Sequence, residues 1–509
     1  MPSQKIYLLI WSNNDILFSL QYDDLDKTIH ERRGEYAFAL SYPVYRSIRE
    51  RHDFLLYRMV FRQLFLYRNV SLSCNCSLAK VANMDLVILI GSFFVMLFVG
   101  VPIAFALCAT SILYLVLYCP NIPLIIVAQQ MLKGVDSFTL LAIPFFVIAG
   151  GLMQSGGISK RIVNFARTLV GWLPGGLAIV DILASMIFAA MTGAGAATTA
   201  AVGGIMIPEM EKDGYDPGFA SAVQAMGGVF GPIIPPSTLM VLYAVASGES
   251  VGSMFLGGIL PGLFLGGILI VVVAILCVKK HYGIDSRRAF SLKEVGKSFV
   301  DAIWALLAPI IILGGIYSGI FTPTEASGVC CFYCLIVGLF IYRETKWSDV
   351  PKLVYAGVKN AAGIMLIVAA TQVFGWVITR MRIPQTIAAA FTENISSPTV
   401  FVFAVCLILL VAGCFIDAVP ALLIFAPIFV PTAQAYGINL IYFGVIMVIV
   451  LCIGLATPPV GINLYVSSAV GGQPVHKIIP HLPIPLATIA AGTIILILFP
   501  GIITLLPGV

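Results

Sequence analysis

The sequence predicts an all-α, polytopic membrane protein built from two inverted structural repeats, each with a re-entrant helical hairpin and a broken helix. Three observations predict it. The first is apolarity: of 509 residues 60% are hydrophobic and only 10% charged, with a mean hydropathy of +1.01, whereas a soluble protein carries about 25% charged residues. The second is an internal repeat. Pro208, Gly214, Gly231, Pro235, Pro236 and Gly248 recur as Pro431, Gly437, Gly454, Pro458, Pro459 and Gly471, at one constant offset of 223. The third is where the repeat falls. GPIIPPS and GLATPPVG interrupt long apolar runs, and Pro-Pro removes two backbone donors and breaks a helix. Paired Gly/Pro breaks in two halves of a membrane protein point to a binding site.

Residues 1–83 differ from the rest, with 11 basic and 8 acidic residues against 18 and 16 in all of 84–509. No run there reaches the roughly 20 apolar residues a span needs. FLLYRMVFRQLFLYRNV is broken by Arg58, Arg62 and Arg68, and the tripartite pattern of a signal peptide is missing. We expect 1–83 to be a polar extension, disordered or upstream of a natural start at Met84.

The first repeat is expected over 84–280. Apolar runs at 85–99, 102–119 and 137–153 precede hairpin 1, at about 174–210. Its two arms flank MTGAGAATT, and each is too short to cross a bilayer alone. A broken helix follows at 215–250, interrupted at GPIIPPS, and then a run at 253–278. A basic linker, 281–298, leads to the second repeat, 299–509. There hairpin 2, at about 397–431, folds around Asp417, and the broken helix 438–470 is interrupted at GLATPPVG. KRIVNFARTLVGW and SDVPKLVYAGVKN have the composition of amphipathic interfacial helices. With residue 84 outside and the halves inverted, fifteen basic residues beyond the extension face the cytoplasm and three, Lys133, Arg380 and Arg382, face out. This agrees with the positive-inside rule.

The chemistry is expected at the breaks. Gly193 and Gly195 permit a sharp turn and close approach of backbone to a ligand. The arm before the tip ends in free carbonyls, suited to a hard cation. The arm after it begins with free N–H groups, suited to a carboxylate. Thr192, Thr198 and Thr199 add hydroxyls. In the second copy Asp417 is the one acid at the tip, with cation ligation and helix capping as compatible roles. Thr457, Pro458, Pro459, Gly461 and Asn463 form the facing break, and this oxygen-only set fits Na⁺ rather than a transition metal. Thr198, Thr199 and Asn463 are candidate substrate contacts. Asp181 and Glu325 read as interfacial caps, and Trp172, Trp304, Trp347 and Trp376 as interface anchors. The cysteines within apolar runs read as small buried hydrophobes.

SFTLLAIPFFVIAGGLMQSGGISKRI, MTGAGAATTAAVGGIMIPEM, GPIIPPSTLMVLY, GGIYSGIFTPTEAS and GLATPPVGINLYV occur in this order. They resemble the large membrane subunit of tripartite ATP-independent periplasmic (TRAP) transporters, over about 84–509. The resemblance implies a Na⁺-driven organic-acid importer of the bacterial inner membrane with an elevator-type fold. Both hairpins would ride on a mobile domain. It implies two partners: a periplasmic substrate-binding protein and a small four-helix membrane subunit, which 1–83 does not resemble. It implies one Na⁺ site at Thr192, Gly193 and Gly195 with Gly231, Pro235 and Ser237, and another at Asp417 with Gly454, Thr457, Pro458 and Gly461. Relatives often carry Ser-Gly-Ser where this chain has Thr192-Gly193-Ala194, so only the first hydroxyl is kept. The substrate would be a carboxylate such as sialic acid or a C4-dicarboxylate. The runner-up is a stand-alone Na⁺-coupled dicarboxylate carrier of the same architecture.

Other classes fit poorly. The five histidines, at 30, 52, 281, 476 and 481, lie outside the membrane-centre motifs, which disfavours intramembrane enzyme chemistry, and no further cofactor is expected. No polar pore helix suggests a channel, and no GxxxxGK[ST] motif suggests ATP hydrolysis. The net charge of +5 is scattered at the ends of apolar runs and does not suggest nucleic acid.

Overall fold

A computed structural model describes residues 78–283, 290–395 and 397–508. Residues 1–77 of the expected extension lie outside the described residues. The first described helix, Leu78–Phe98, runs through Met84 without a break, so position 84 is not a structural boundary. Among the described residues every regular element is helical. Among the described residues seven helices are long and apolar enough to cross a membrane, or eight if the bent pair Val475–His481 and Pro483–Leu498 counts as one span. Large apolar side chains such as Phe98, Leu132, Phe332 and Leu407 are exposed, and in a bilayer they face lipid.

The arms and broken helices occupy the repeated segments. Gly176–Thr192 and Gly195–Lys212 are the arms at the first tip, and Pro398–Phe415 and Ala418–Ala435 those at the second. The first break separates Pro217–Val229 from Thr238–Ser247, and the second separates Leu440–Gly454 from Ile462–Gly471. At the offset of 223 these bounds agree to within two residues. The caps repeat too. Asp216 accepts from Phe219 N, and its counterpart Asn439 accepts from Ile441 N and Tyr442 N, each satisfying orphan donors of a helix start. The Pro235-Pro236 and Pro458-Pro459 bonds are both cis. Each half's last half-helix packs on the other half's return arm: 238–247 on 418–435, and 462–471 on 195–212. The two halves therefore share one buried centre.

Several expectations are corrected. The arms Pro398–Phe415 and Ala418–Ala435, at 18 residues each, are among the seven helices that meet the length and hydropathy of a span, so the second hairpin is not recognisable by short arms. SDVPKLVYAGVKN does not form a separate interfacial helix. It opens the 31-residue helix Val350–Arg380, because Pro351 sits in the first turn, where proline is tolerated, and nothing beyond it breaks the helix. The expected linker 281–298 is already helical from Leu292, capped by Ser291; residues 284–289 lie outside the described residues. Asp181 is no cap: it lies inside Gly176–Thr192 and is fully buried. Glu325 does cap, closing a reciprocal box with Thr322 at 2.8 and 3.3 Å. Trp172, Trp304 and Trp347 are exposed and Trp376 is half-buried.

The amphipathic helix at KRIVNFARTLVGW spans Ile158–Val170 and buries Ile158, Ile162, Val163 and Ala166. Arg161 on it reaches Glu344 at 2.6 Å and Asp301 at 3.5 Å and covers the Tyr342 ring at 3.7 Å. Arg167 pairs with Glu209 at 3.0 Å. This helix ties the base of the first hairpin to the segments around 301 and 344.

Candidate ion and substrate site

Each tip meets its break backbone to backbone. At the first tip Thr192 ends the entering arm, Gly193 turns the chain at φ +61°, and Ala194 is extended before the return arm begins at Gly195. Thr238 donates to the Gly193 carbonyl from its hydroxyl at 3.1 Å and from its N–H at 3.4 Å. A Cβ added at Gly231 would lie 2.6 Å from the Ala194 carbonyl carbon and oxygen, and one at Gly193 would lie 2.5 Å from the Pro236 oxygen. Only glycine permits this approach. The Thr192 and Thr198 hydroxyls share a hydrogen bond of 2.9 Å, and Thr198 also reaches the Ala194 oxygen at 3.0 Å. Ser237 caps the second half-helix, accepting from Met240 N at 3.2 Å and donating to the Pro232 oxygen at 2.5 Å. Thr192, Gly193, Gly195, Gly231 and Ser237, with the Pro235-Pro236 turn, thus lie on one tip-to-break contact.

The second tip is built differently. Ile416 is extended, and Asp417 caps the return arm by accepting from Ala418 N at 2.8 Å. The capping role is therefore present, and it engages one carboxylate oxygen. The break meets the hairpin lower on its entering arm: Val460 N donates to the Cys414 oxygen at 3.1 Å, and a Cβ at Gly454 would lie 2.6 Å from the Gly413 carbonyl carbon. Thr457 directs its hydroxyl to the Ile453 oxygen at 2.7 Å. Gly461 turns the chain at φ +42° into the last half-helix.

The candidate substrate contacts divide. Thr198 and Thr199 are fully buried on the first return arm, and Thr199 bonds the Gly195 oxygen at 3.0 Å. Asn463 follows the second break in sequence, yet the structure carries it across to the first hairpin. A Cβ at Gly195 would lie 3.0 Å from Asn463 Oδ1, and Asn463 Nδ2 donates to the Ala225 oxygen at 3.4 Å. Its Oδ1 is buried without a hydrogen-bond partner among the described residues. Sequence reasoning missed Thr238, Gly413 and the Cys414 carbonyl. Thr238 alone carried a signal, its position after Ser237 at the break. The others are ordinary apolar-run residues until the chain folds.

Threonine hydroxyls, backbone carbonyls and one carboxylate suit a hard monovalent cation. Among the described residues no group of three or more His, Cys, Asp or Glu side chains gathers as a metal site. The buried start of each return arm supplies the positive end of a helix, suited to a carboxylate.

Fold and site together define a multi-pass membrane transport protein of helical hairpins and broken helices. Comparison narrows this. The family model described as "Tripartite ATP-independent periplasmic transporter, DctM component" matches residues 90–502, and the chain belongs to that family of inner-membrane permease subunits. Over 386 residues it is 44% identical to the C4-dicarboxylate TRAP transporter large permease protein DctM of Pseudomonas aeruginosa, covering 75% of this chain and 87% of the relative. Over 415 residues it is 39% identical to the sialic acid TRAP transporter large permease protein SiaM of Vibrio cholerae, covering 81% and 96%. The solved structure of the Alcanivorax borkumensis YdaH transporter, 14% identical, superposes with a TM-score of 0.54 over 74% of this chain and 87% of its own. That likeness concerns the fold alone. Membership of a permease family also agrees with the expectation that the chain is not an enzyme.

Proposed function

We propose that this chain is the permease subunit through which an organic carboxylate enters the cell with Na⁺. The carboxylate would be delivered by a periplasmic substrate-binding protein, and a small four-helix membrane subunit would complete the transporter. The observation that carries the reading is the pair of hairpin-to-break contacts, one in each half, at Gly231 on Ala194 at the first tip and at Gly454 on Gly413 on the second entering arm. Irregular backbone at membrane depth is tolerated where it is buried or lines a cavity, and here two such segments close on two hairpins, one at the tip and one on the entering arm. Thr192, Gly193 and Ser237 supply oxygen at one tip, and Asp417 and Thr457 at the other. Thr198, Thr199 and Asn463 lie on the first return arm and its neighbour, where a carboxylate would meet helix N–H groups. The two relatives are named for C4-dicarboxylate and for sialic acid, and carboxylate is the chemistry the two substrates share.

Both tips belong to the interlocked centre in which each half-helix packs on the opposite return arm. This supports an elevator, with the two tips moving together against flanking helices such as Val251–Lys279 and Pro483–Leu498, and with the halves inverted in the membrane. The test is uptake into proteoliposomes holding the chain, its small subunit and its binding protein. Uptake requires an inward Na⁺ gradient and the binding protein. Equal uptake in K⁺ refutes Na⁺ coupling, and equal uptake without the binding protein favours a stand-alone carrier.

A further inference from the structure

Asp181 lies six residues into the entering arm of the first hairpin, fully buried, and neither carboxylate oxygen has a hydrogen-bond partner among the described residues. It is not part of either tip. Eleven residues separate it from Thr192, about 16 Å along a helix, and the two share one helix face. Ser185, one turn on, accepts a long hydrogen bond of 3.5 Å from Gln224 Nε2. Gln224 is itself fully buried, and its Oε1 has no partner. The helix Pro217–Val229 comes close here, because a Cβ at Gly227 would lie 2.8 Å from Ser185 Oγ and 3.9 Å from the Asp181 backbone oxygen. Ser221 Oγ and Asn463 Oδ1, on and against that helix, are also buried without partners. This interior therefore holds several buried polar atoms without partners among the described residues, and the Asp181 carboxylate oxygens, Gln224 Oε1 and Asn463 Oδ1 are acceptors.

Among the described residues, no basic side chain pairs with a carboxylate at Asp181. The arm packs against six helices. Those at 142–155 and 217–229 carry no ionisable residue. On 158–170, Arg161 and Arg167 are committed to Glu344 and Asp301 and to Glu209, and Lys160 is exposed. The return arm 195–212 adds Glu211 and the exposed Lys212, and 251–279 adds Cys277 and the exposed Lys279. On 292–317, Lys293, Glu294, Lys297 and Asp301 are exposed and Tyr317 closes the far end. None of these bonds Asp181. A buried, unpaired carboxylate is strongly disfavoured. A carboxylic acid keeps the fit without the charge and has an O–H donor of its own.

We propose that Asp181, one helical turn before Ser185, is a proton-binding site in the arm of the first hairpin, separate from both tips. It concerns the arm and stands apart from the Na⁺ reading. The sign of its pH dependence follows from linkage. If the folded chain keeps a proton that an aspartate in water has lost, folding takes up a proton, and stability falls as pH rises.

Thermal unfolding of the full chain in lipid nanodiscs, followed from about pH 6 to pH 9, tests this. The expected result is a midpoint that falls for the wild type relative to Asp181→Asn, an uncharged isostere of the acid, as pH rises across this range. Parallel pH curves for the two overturn the proposal. So does a difference between them that tracks Na⁺ concentration and not pH, which would make the ligand an alkali ion. If Asp181→Asn fails to fold, infrared spectroscopy of the wild type labelled with carbon-13 aspartate replaces it. A protonated aspartyl band at neutral pH that persists in Asp417→Asn supports the site, and its absence there overturns it.

Discussion

Gly231→Ala is the sharpest probe of the tip-to-break contact. The added Cβ would lie 2.6 Å from the Ala194 carbonyl, where ordinary contact begins at 3.4 Å, so the first tip must withdraw by about 0.8 Å. The obstacle is backbone on both sides, and no flexible side chain can turn away. Overpacking of this kind costs about 1–3 kcal/mol, and about 1.4 kcal/mol is a tenfold change in an equilibrium constant. If the strain falls on the closed tip, its population drops about 5- to 150-fold. Displacement by about 1 Å has consequences of a similar size for an aligned site. The assay is Na⁺-driven uptake in proteoliposomes, with the Na⁺ concentration for half-maximal rate measured alongside membrane yield. Gly204→Ala is the control. It lies on the return arm of the first hairpin, a Cβ there meets nothing within 4 Å, and alanine should stabilise that helix by about 0.4–1 kcal/mol. We expect Gly231→Ala to insert, to need more Na⁺ and to transport about 5- to 150-fold more slowly. If it transports like Gly204→Ala with the same Na⁺ requirement, the contact does not close the site and the reasoning fails.

Asp417→Ala removes a cap as well as a charge, and is expected to abolish Na⁺-dependent uptake while the chain stays in the membrane. Asp417→Asn keeps a capping oxygen, so a raised Na⁺ requirement isolates the charge; an unchanged requirement in both variants would leave capping as the whole role. Ser237→Ala loses the acceptor for Met240 N and should cost about 0.5–2 kcal/mol, against a few tenths for Ser237→Gly, read as the difference between their unfolding midpoints. In a cysteine-depleted background, a cysteine at Ala194 or Ala418 should change its reactivity toward impermeant thiol reagents when Na⁺ and substrate are added, and one within 253–278 should not. Constant reactivity at both tips during transport would replace the elevator with local gating.

The sequence by itself determined the class and the places of interest. Apolar composition fixes the solvent as lipid, where only helices and closed barrels satisfy the backbone, and the Pro-Pro breaks marked the segments unable to continue as helices. Gly193, Gly231 and Asp417 were legible because glycine, proline and an intramembrane acid each carry a local physical cost that stands out from apolar sequence. The tertiary structure decided the rest. Hairpin 2 was legible by its repeat but not by short arms, since its arms match a span in length. Asn463 lies after the second break yet packs on Gly195, because each last half-helix crosses to the opposite hairpin. Asp181 reads as a terminal cap, being near the end of its apolar run, and is fully buried inside the helix bundle. Burial and cross-half contact depend on how six or more helices pack, and no periodicity within one helix encodes which neighbour will cover a given face.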